Sequence, residues 1–263
     1  MPPNRARFAF FAAAVFVLAA GCGLSPERAR AKIEALELTF DENGLGNAVL
    51  SPDTELVELF LAAGYDVSTF DDPKKAPLML AARGVHLATM ELLIEAGARA
   101  DELPGVLVVP VMRRELKKVS MLLDAGAEVD ARDQSGQTAL LAAIAVGNIE
   151  GVRLLLDRGA NPDGVPGLRP RRRGNNPLIA ALEAERSEIV DALIAAGANV
   201  NATDKRKTPL IAAAHSGSEE MVDRLLAAGA DPALENAGVT AAQTAMRAGN
   251  DELAARLEQA SAP

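Results

Sequence analysis

The stretch "EIVDALIAAGANVNATDKRKTPLIAAAHSG", residues Glu188–Gly217, carries the pattern of two helices joined by a polar loop. In its first part, four large apolar side chains recur at helical spacing: Ile189, Val190, Leu193 and Ile194. Gly197 predicts the end of that helix, because the residue that follows a helix often needs a positive φ. Thr208 and Pro209 predict the start of the next helix, since threonine caps a helix and proline at its first position loses no hydrogen bond.

The phrase around Gly197 recurs along the chain with a period near 33 residues. Its glycines lie at spacings of 33, 29, 33, 38 and 32 and are Gly64, Gly97, Gly126, Gly159, Gly197 and Gly229. A second phrase, rich in leucine and alanine, falls between them, as in the part that follows Thr208. This period indicates a solenoid, because one helix pair cannot bury its apolar face alone and stacked pairs bury a continuous core.

The two phrases together resemble the ankyrin repeat, whose pattern begins Thr-Pro-Leu and ends Gly-Ala-Asp/Asn. Thr208-Pro209-Leu210 and Gly197-Ala198-Asn199-Val200-Asn201 are close matches. The resemblance covers residues 43–257, with a divergent first repeat and a truncated last one. It implies an all-α solenoid of six to seven stacked helix pairs with hairpin-like fingers. It also implies protein binding through the finger tips and the inner helices, which together form a concave surface.

The histidines depart from the family pattern. The histidine that the family places after Thr-Pro-Leu is absent, and its places are taken by Met79, Leu141, Ile179 and Ile211. In the family that histidine usually serves the hydrogen bonding of the turns, so its loss concerns stability rather than chemistry. His86 and His215 are the only histidines. Neither has neighbours at metal-ligand spacing, so we expect structural roles for both and no metal site.

The third repeat departs from the period. Only 29 residues separate Gly97 from Gly126, which predicts a shortened hairpin, and Pro110 falls inside the expected first helix. An interior proline removes a hydrogen bond and clashes with the preceding turn, at about 3 kcal/mol, so that helix is expected to be short, kinked or absent. Two interpretations stay open: a bend that shapes a groove for a partner, or a degenerate repeat that its neighbours tolerate.

The amino terminus, "MPPNRARFAFFAAAVFVLAAGCG", has the three parts of a secretory signal. Arg5 and Arg7 give a positive region, which an uncharged apolar run over residues 8–20 follows. That run is short for a membrane span of about twenty residues and fits the apolar part of a signal peptide. Small residues and the single cysteine, Cys22, come next. An ordinary signal peptide, or an uncleaved anchor, with an incidental cysteine is the alternative interpretation.

The end of the apolar run, Leu18-Ala19-Ala20-Gly21-Cys22, resembles the lipobox of bacterial lipoproteins. The resemblance implies a signal peptide over residues 1–21, lipidation of Cys22 and an anchor in a bacterial envelope. Many Gram-negative bacteria use Asp at the next position to retain lipoproteins in the inner membrane, so Gly23 favours the outer membrane, facing the periplasm. Residues 22–42 would then form a lipidated segment with a capping helix, and residues 258–263 a short tail. Loss of the two signal-peptide arginines would lower the side-chain charge from −9 to −11.

The composition argues against several functions. The formal charge is −9 and no aromatic residue follows residue 70, which counts against nucleic-acid binding through the phosphate backbone or by base stacking. The sequence has no P-loop, no Gly-x-Ser-x-Gly motif and no metal-ligand cluster, so we predict neither an enzyme nor a bound cofactor. We expect the last four aromatic residues to seal the first repeat rather than to bind a ligand; they are Phe40, Phe60, Tyr65 and Phe70.

The spacing of 38 before Gly197 predicts an enlarged finger. This finger and the next one are basic, with Arg169, Arg171, Arg172 and Arg173 on the first and Lys205, Arg206 and Lys207 on the second. We expect them to form one ridge that contacts an acidic protein face; anionic lipid or lipopolysaccharide, and a merely solvated loop, are the alternatives. By the family resemblance, Gln134, Ser135 and Gln137 also contact the partner. The expected molecule is a monomer that binds an unidentified protein, as a scaffold or as a neutralising, immunity-type binder.

Overall fold

The computed structural model describes residues 24–165, 176–203 and 207–261. Within these residues the chain forms fifteen α-helices, and its extended pairing is limited to two isolated β-bridges. One helix precedes seven helix pairs, which confirms the predicted all-α repeat architecture. The chain divides into two compact units, Met1–Ala131 and Arg132–Pro263.

The first unit contains a leading helix and three helix pairs. Its helices are α1 Pro26–Ala35, α2 Glu42–Leu50, α3 Thr54–Ala62, α4 Pro77–Arg83, α5 Leu87–Glu95, α6 Val108–Met112 and α7 Leu116–Asp124. The first helices of the pairs, α2, α4 and α6, pack on one another in order, and α1 packs on α3.

The second unit contains four helix pairs stacked in the same way. Its helices are α8 Ala139–Ala145, α9 Ile149–Asp157, α10 Pro177–Glu183, α11 Ser187–Ala195, α12 Pro209–Ser216, α13 Glu219–Ala227, α14 Ala241–Arg247 and α15 Asp251–Ala260. The first helices α8, α10, α12 and α14 form one row. Small side chains permit that close stacking, since Ala181, Ala213 and Ala245 are fully buried in it.

The predicted helix starts are confirmed. The Thr208 hydroxyl accepts a hydrogen bond from the backbone N–H of Ile211 at 3.2 Å, and Pro209 occupies the first helical position. The Asn176 side chain caps α10 in the same manner, by accepting from Ile179 N–H at 3.0 Å. These side chains accept hydrogen bonds from backbone N–H groups of the first helical turn, which have no acceptor within the helix.

The repeated glycines end the second helix in the first six of the seven pairs, as predicted. All six have φ between 82° and 97°. After Gly197 the N–H of Ala198 donates to the carbonyl of Leu193 at 3.0 Å, which closes the helix in a Schellman-type turn. The chain then leaves the helix towards the next pair.

The third pair has a short first helix, as the proline predicted. Helix α6 has five residues, and Pro110 is the third of them. The backbone N–H groups of a first turn have no partner within the helix, so proline at this position costs no internal hydrogen bond. The helix therefore begins late enough to place Pro110 in its first turn, and no kink is needed.

The amino-terminal end of the first unit is closed by α1 and by aromatic rings. Three of the four predicted aromatic residues meet, with ring centroids 5.8 Å apart for Phe40 and Phe60 and 5.5 Å apart for Phe40 and Tyr65. The Arg30 guanidinium of α1 lies 4.7 Å from the centre of the Phe40 ring. Burial, and then the charge of Glu42, raises the pKa of the Tyr65 hydroxyl. Phe70 is half-buried and joins none of the ring contacts found among the described residues, so the seal consists of three rings rather than four.

Candidate functional site

The finger at the start of the second unit is a tight hairpin over residues 132–138. Arg132 and Thr138 form an antiparallel β-bridge at its base. Asp133 N–H donates to the Gln137 carbonyl at 2.9 Å, and Gly136 N–H donates to the Asp133 carbonyl at 2.9 Å. The turn needs glycine at position 136, where φ is 83°. The backbone of the finger is thereby fixed by its own hydrogen bonds.

The Asp133 carboxylate organises the tip of this finger. Its Oδ1 atom accepts hydrogen bonds from Ser135 N–H at 2.8 Å, Ser135 Oγ at 2.6 Å and Gln137 N–H at 2.9 Å. An aspartate that bonds to the backbone two residues later is a recognised turn former. Sequence reasoning missed Asp133 as a positioning residue; the run Asp133-Gln-Ser-Gly would have been the signal.

Of the three contact residues predicted on this finger, two are presented to solvent. Gln134 and Ser135 are exposed, whereas Gln137 is half-buried. The Ser135 hydroxyl is already directed to Asp133, so the Gln134 amide is the polar group most available to a partner. An arginine supports the hairpin from behind, since Arg132 Nη1 donates to the Gly136 carbonyl at 3.1 Å and Nη2 donates to the Val165 carbonyl.

Lys207 is the member of the predicted basic ridge that the structure describes. Its Nζ atom lies 2.7 Å from Glu183 Oε1, at the end of α10. This ion pair neutralises the ammonium locally, so Lys207 contributes less to a positive ridge than its sequence position indicated. Cys22 lies outside the described residues. The same is true of the other ridge residues, which are Arg169, Arg171, Arg172, Arg173, Lys205 and Arg206.

The aspartate and asparagine residues that end the repeat phrases join successive repeats. The Asp163 carboxylate accepts from Asn199 N–H at 2.7 Å, one repeat further along. Asn201 then accepts from Asp231 N–H at 2.8 Å and donates to the Gly229 carbonyl at 3.1 Å. These carboxylate and amide groups are engaged in structural bonds, which explains their recurrence without any catalytic role.

The outer helices of the second unit are joined by arginine ion pairs. Arg224 of α13 reaches Asp191 of α11 and also lies 2.7 Å from Glu220 on its own helix. Arg256 of α15 likewise pairs with Glu219, at 2.8 Å, and with Asp223. The hydrogen bonds that the Arg224 guanidinium donates to Glu220 and Asp191 raise its pKa above its ordinary value. The acidic residues of this face thus serve the stacking of repeats.

The described residues contain no candidate metal centre. No group of three or more His, Cys, Asp and Glu side chains in them could hold a metal ion. No helix in the same part of the chain is long and apolar enough to span a bilayer. Stacked helix pairs with preorganised hairpins define a helical-repeat interaction scaffold.

The chain belongs to the ankyrin repeat family. The family model described as "Ankyrin repeats (3 copies)" matches residues 45–133 and 107–204, and the single "Ankyrin repeat" model matches residues 206–237. Ankyrin repeats are typically protein–protein interaction modules rather than enzymes, so this chain carries such a module.

Three curated proteins illustrate the similarity. The "Ankyrin repeat and KH domain-containing protein mask-1" of Caenorhabditis elegans is 33% identical over 147 residues, which are 54% of this chain and 5% of that protein. The "B-cell lymphoma 3 protein homolog" of Mus musculus is 31% identical over 155 residues, 56% of this chain and 34% of that protein. An ankyrin repeat-containing protein of Treponema pallidum is 33% identical over 128 residues, 47% of this chain and 43% of that protein. The chain therefore spans less than half the length of each of these relatives.

Proposed function

We propose that this protein is a lipid-anchored ankyrin-repeat binder of the bacterial envelope, which holds a partner protein through its fingers. The partner is a protein with an acidic face, and the binder acts as a scaffold or as a neutralising factor for a toxic enzyme. The protein itself catalyses no reaction and needs no cofactor. The preorganised finger over residues 132–138 is the observation that carries this proposal.

A rigid finger favours binding because little conformational entropy remains to be lost. The Asp133 carboxylate fixes the tip before any partner arrives, and Gln134 is exposed on it. Preorganisation of this kind improves affinity mainly by reducing the cost of ordering on association. The arginines of the finger that the sequence predicts to be enlarged, Arg169, Arg171, Arg172 and Arg173, would add electrostatic guidance towards an acidic partner.

The proposed anchor rests on the residues around Cys22. An uncharged run, small residues and a single cysteine stand in the order that lipoprotein processing requires. Several acyl chains give a stable anchor, whereas one chain binds a membrane only marginally. The outer membrane is proposed because Gly23, and not aspartate, follows the cysteine.

Cys22→Ala is expected to abolish the membrane anchor. When the full chain is expressed in a Gram-negative host with radiolabelled palmitate, the wild-type chain should be labelled and should pellet with membranes. The Cys22→Ala chain should carry no label and should leave the membrane pellet under high salt. Gly23→Asp is the matched control: it should stay labelled but move from the outer to the inner membrane fraction. Labelling of the Cys22→Ala chain would contradict lipidation at this residue.

Neutralising the enlarged finger is expected to weaken partner binding by about a hundredfold or more, because several charge-assisted contacts would be lost together. The bait is the full chain carrying Cys22→Ala, so that no acyl group contributes, and the partner is first identified by pull-down from envelope extract. Binding of that purified partner is then compared for wild-type arginines and for Arg169, Arg171, Arg172 and Arg173 changed together to glutamine.

The control variant carries Lys74→Glu and Lys75→Glu, on an exposed hairpin of the first unit. It changes the net charge by the same amount as the arginine variant, so a general electrostatic effect would weaken both equally. Equal binding by the wild-type chain and the arginine variant would make the enlarged finger a solvated loop. A different result would favour the lipid-binding function. The wild-type chain would then retain no protein but bind anionic vesicles or lipopolysaccharide, and the arginine variant would lose that binding.

A further inference from the structure

A row of exposed apolar and cationic side chains crosses the first unit where its first helices end. Leu50, Arg83 and Met112 are the last residues of α2, α4 and α6, and those three helices stack in that order. Each of the three lies four residues before the start of the next helix, so all occupy the same level of successive repeats. Val85 and Arg113 belong to the turns that follow. We call these five residues the turn-edge row.

The apolar members of this row are unusually exposed. Leu50 is 59% exposed, Val85 70% and Met112 47%. Within the described residues, only two other large apolar side chains are exposed to a similar degree: Leu36 and Met246. Clustered exposed apolar side chains in a soluble domain mark interaction surfaces more often than isolated ones do.

The row is also cationic, in a protein whose net charge is −9. Arg83 and Arg113 are both exposed, and Arg113 Nη1 donates to the Arg83 carbonyl at 2.6 Å, which brings the two residues together. No ion pair joins Arg83 to a carboxylate within the described part of the chain. The combination offers apolar contact and guanidinium donors at one edge.

This edge is not the finger edge. The hairpin between α3 and α4 leads into the amino-terminal end of α4, whereas Arg83 ends that helix. A helix of seven residues separates the two ends by about 10 Å. The turn-edge row is therefore a surface of its own, separate from the finger contacts of the proposed function.

We infer that the turn-edge row docks an acidic protein segment with large apolar side chains. The apolar side chains of the segment would cover Leu50, Val85 and Met112, and its carboxylates would pair with Arg83 and Arg113. Charge complementarity selects this occupant, because exposed arginines beside apolar groups favour aspartate and glutamate beside leucine-like residues. A membrane fits less well: the row holds no tryptophan or tyrosine, and the chain's net charge of −9 repels anionic head groups.

The test uses short random peptides displayed on phage and selected on the full chain carrying Cys22→Ala. The selected pool is depleted on the same chain with Val85→Ser and Met112→Ser. The expected peptides carry net negative charge and at least two large apolar residues. Their binding should fall by about tenfold or more in the Val85→Ser, Met112→Ser variant and in Arg83→Glu. Met246→Ser, which removes a similarly exposed methionine from the second unit, should leave binding unchanged.

A charge exchange makes the test specific. A selected peptide with its acidic residues replaced by lysine should fail on the wild-type chain and regain binding to Arg83→Glu. All variants alter exposed side chains, so their thermal unfolding should match that of the parent chain. Peptides without an acidic bias, or binding that survives these variants, would overturn the inference. If the parent chain co-sediments with phosphatidylglycerol vesicles and the serine variant does not, the row would be assigned to a membrane. If the parent chain self-associates and the serine variant does not, the row would be assigned to a second copy of the chain.

Discussion

Gly44→Ala is expected to destabilise the first unit by about 3 kcal/mol or more, at the upper end of the cost of overpacking a core. Gly44 is buried in the first turn of α2. A Cβ atom there would lie 1.8 Å from the Thr39 carbonyl oxygen and 3.1 Å from Cζ of Phe60. Backbone oxygen cannot rotate away as a flexible side chain can, so the helix or the preceding turn has to move.

That turn is held from several sides, which is why the cost is large. Gly44 N–H donates to Asp41 Oδ1 at 2.8 Å, and the Thr39 hydroxyl donates to the same oxygen at 2.7 Å. These two bonds lower the pKa of the Asp41 carboxyl, with the bond from Gly44 as the larger cause. Phe60 is fully buried, so the ring cannot retreat into solvent. A shift that relieves the clash therefore weakens the helix cap or the aromatic contacts.

Gly46→Ala, two residues further along the same helix, is the matched control. Its added Cβ would meet only Leu80 Cδ1, at 3.4 Å, and alanine is favoured over glycine in a helix by about 1 kcal/mol. We expect a neutral or slightly stabilising effect. Urea unfolding followed by far-ultraviolet circular dichroism measures both variants. Similar unfolding midpoints for Gly44→Ala and Gly46→Ala would refute the steric argument.

Lys118→Ala is expected to cost about 3 kcal/mol, because it breaks a buried charged network. The Lys118 side chain is 4% exposed. Its Nζ atom donates to the Gly84 carbonyl at 2.6 Å and lies 3.1 Å from Glu115 Oε2. The lysine therefore satisfies a carbonyl at the end of α4 from the following repeat. Its loss would leave that carbonyl without this donor and the Glu115 carboxylate, which is 25% exposed, without its cation.

The neighbouring Lys117 supplies the control. Its side chain is 67% exposed, and its ion pair with Glu91, at 2.7 Å, lies on the surface. Lys117→Ala should cost less than about 1 kcal/mol, since exposed ion pairs contribute little. A double variant with Lys118→Met and Glu115→Leu should recover much of the stability lost in Lys118→Ala, because apolar residues can replace a buried ion pair. Equal losses for Lys117→Ala and Lys118→Ala would show that the Lys118 bonds contribute nothing.

Local signals in the sequence predicted the helices well. The Thr208 cap, the proline after it and the glycine at position 197 each act within one or two turns of chain. Pro110 predicted the short helix α6 for the same reason, since its ring constrains only its own turn. Such features need no information about distant residues, so a single sequence is enough to reveal them.

The candidate site was less predictable because side-chain partners decide it. The position of Lys207 favoured a free basic ridge, but Glu183 from the preceding repeat pairs with this residue. Asp133 organises the finger by accepting three hydrogen bonds, which the repeat period of the sequence does not predict. Phe70 is aromatic like the three residues of the seal, but it joins none of the ring contacts found among the described residues.

By itself, the sequence determined the repeat architecture, the helix ends at the repeated glycines, the helix start at Thr208 and the membership of the ankyrin family. These follow from a period near 33 residues and from caps that act locally. Only the tertiary structure decided that Lys118 and Arg113 satisfy carbonyls of the preceding repeat, at separations of 34 and 30 residues. Only stacking aligned Leu50, Arg83 and Met112 in one row. The reason is that a residue's own sequence neighbourhood sets its backbone, whereas its partners come from the repeat that packing brings beside it.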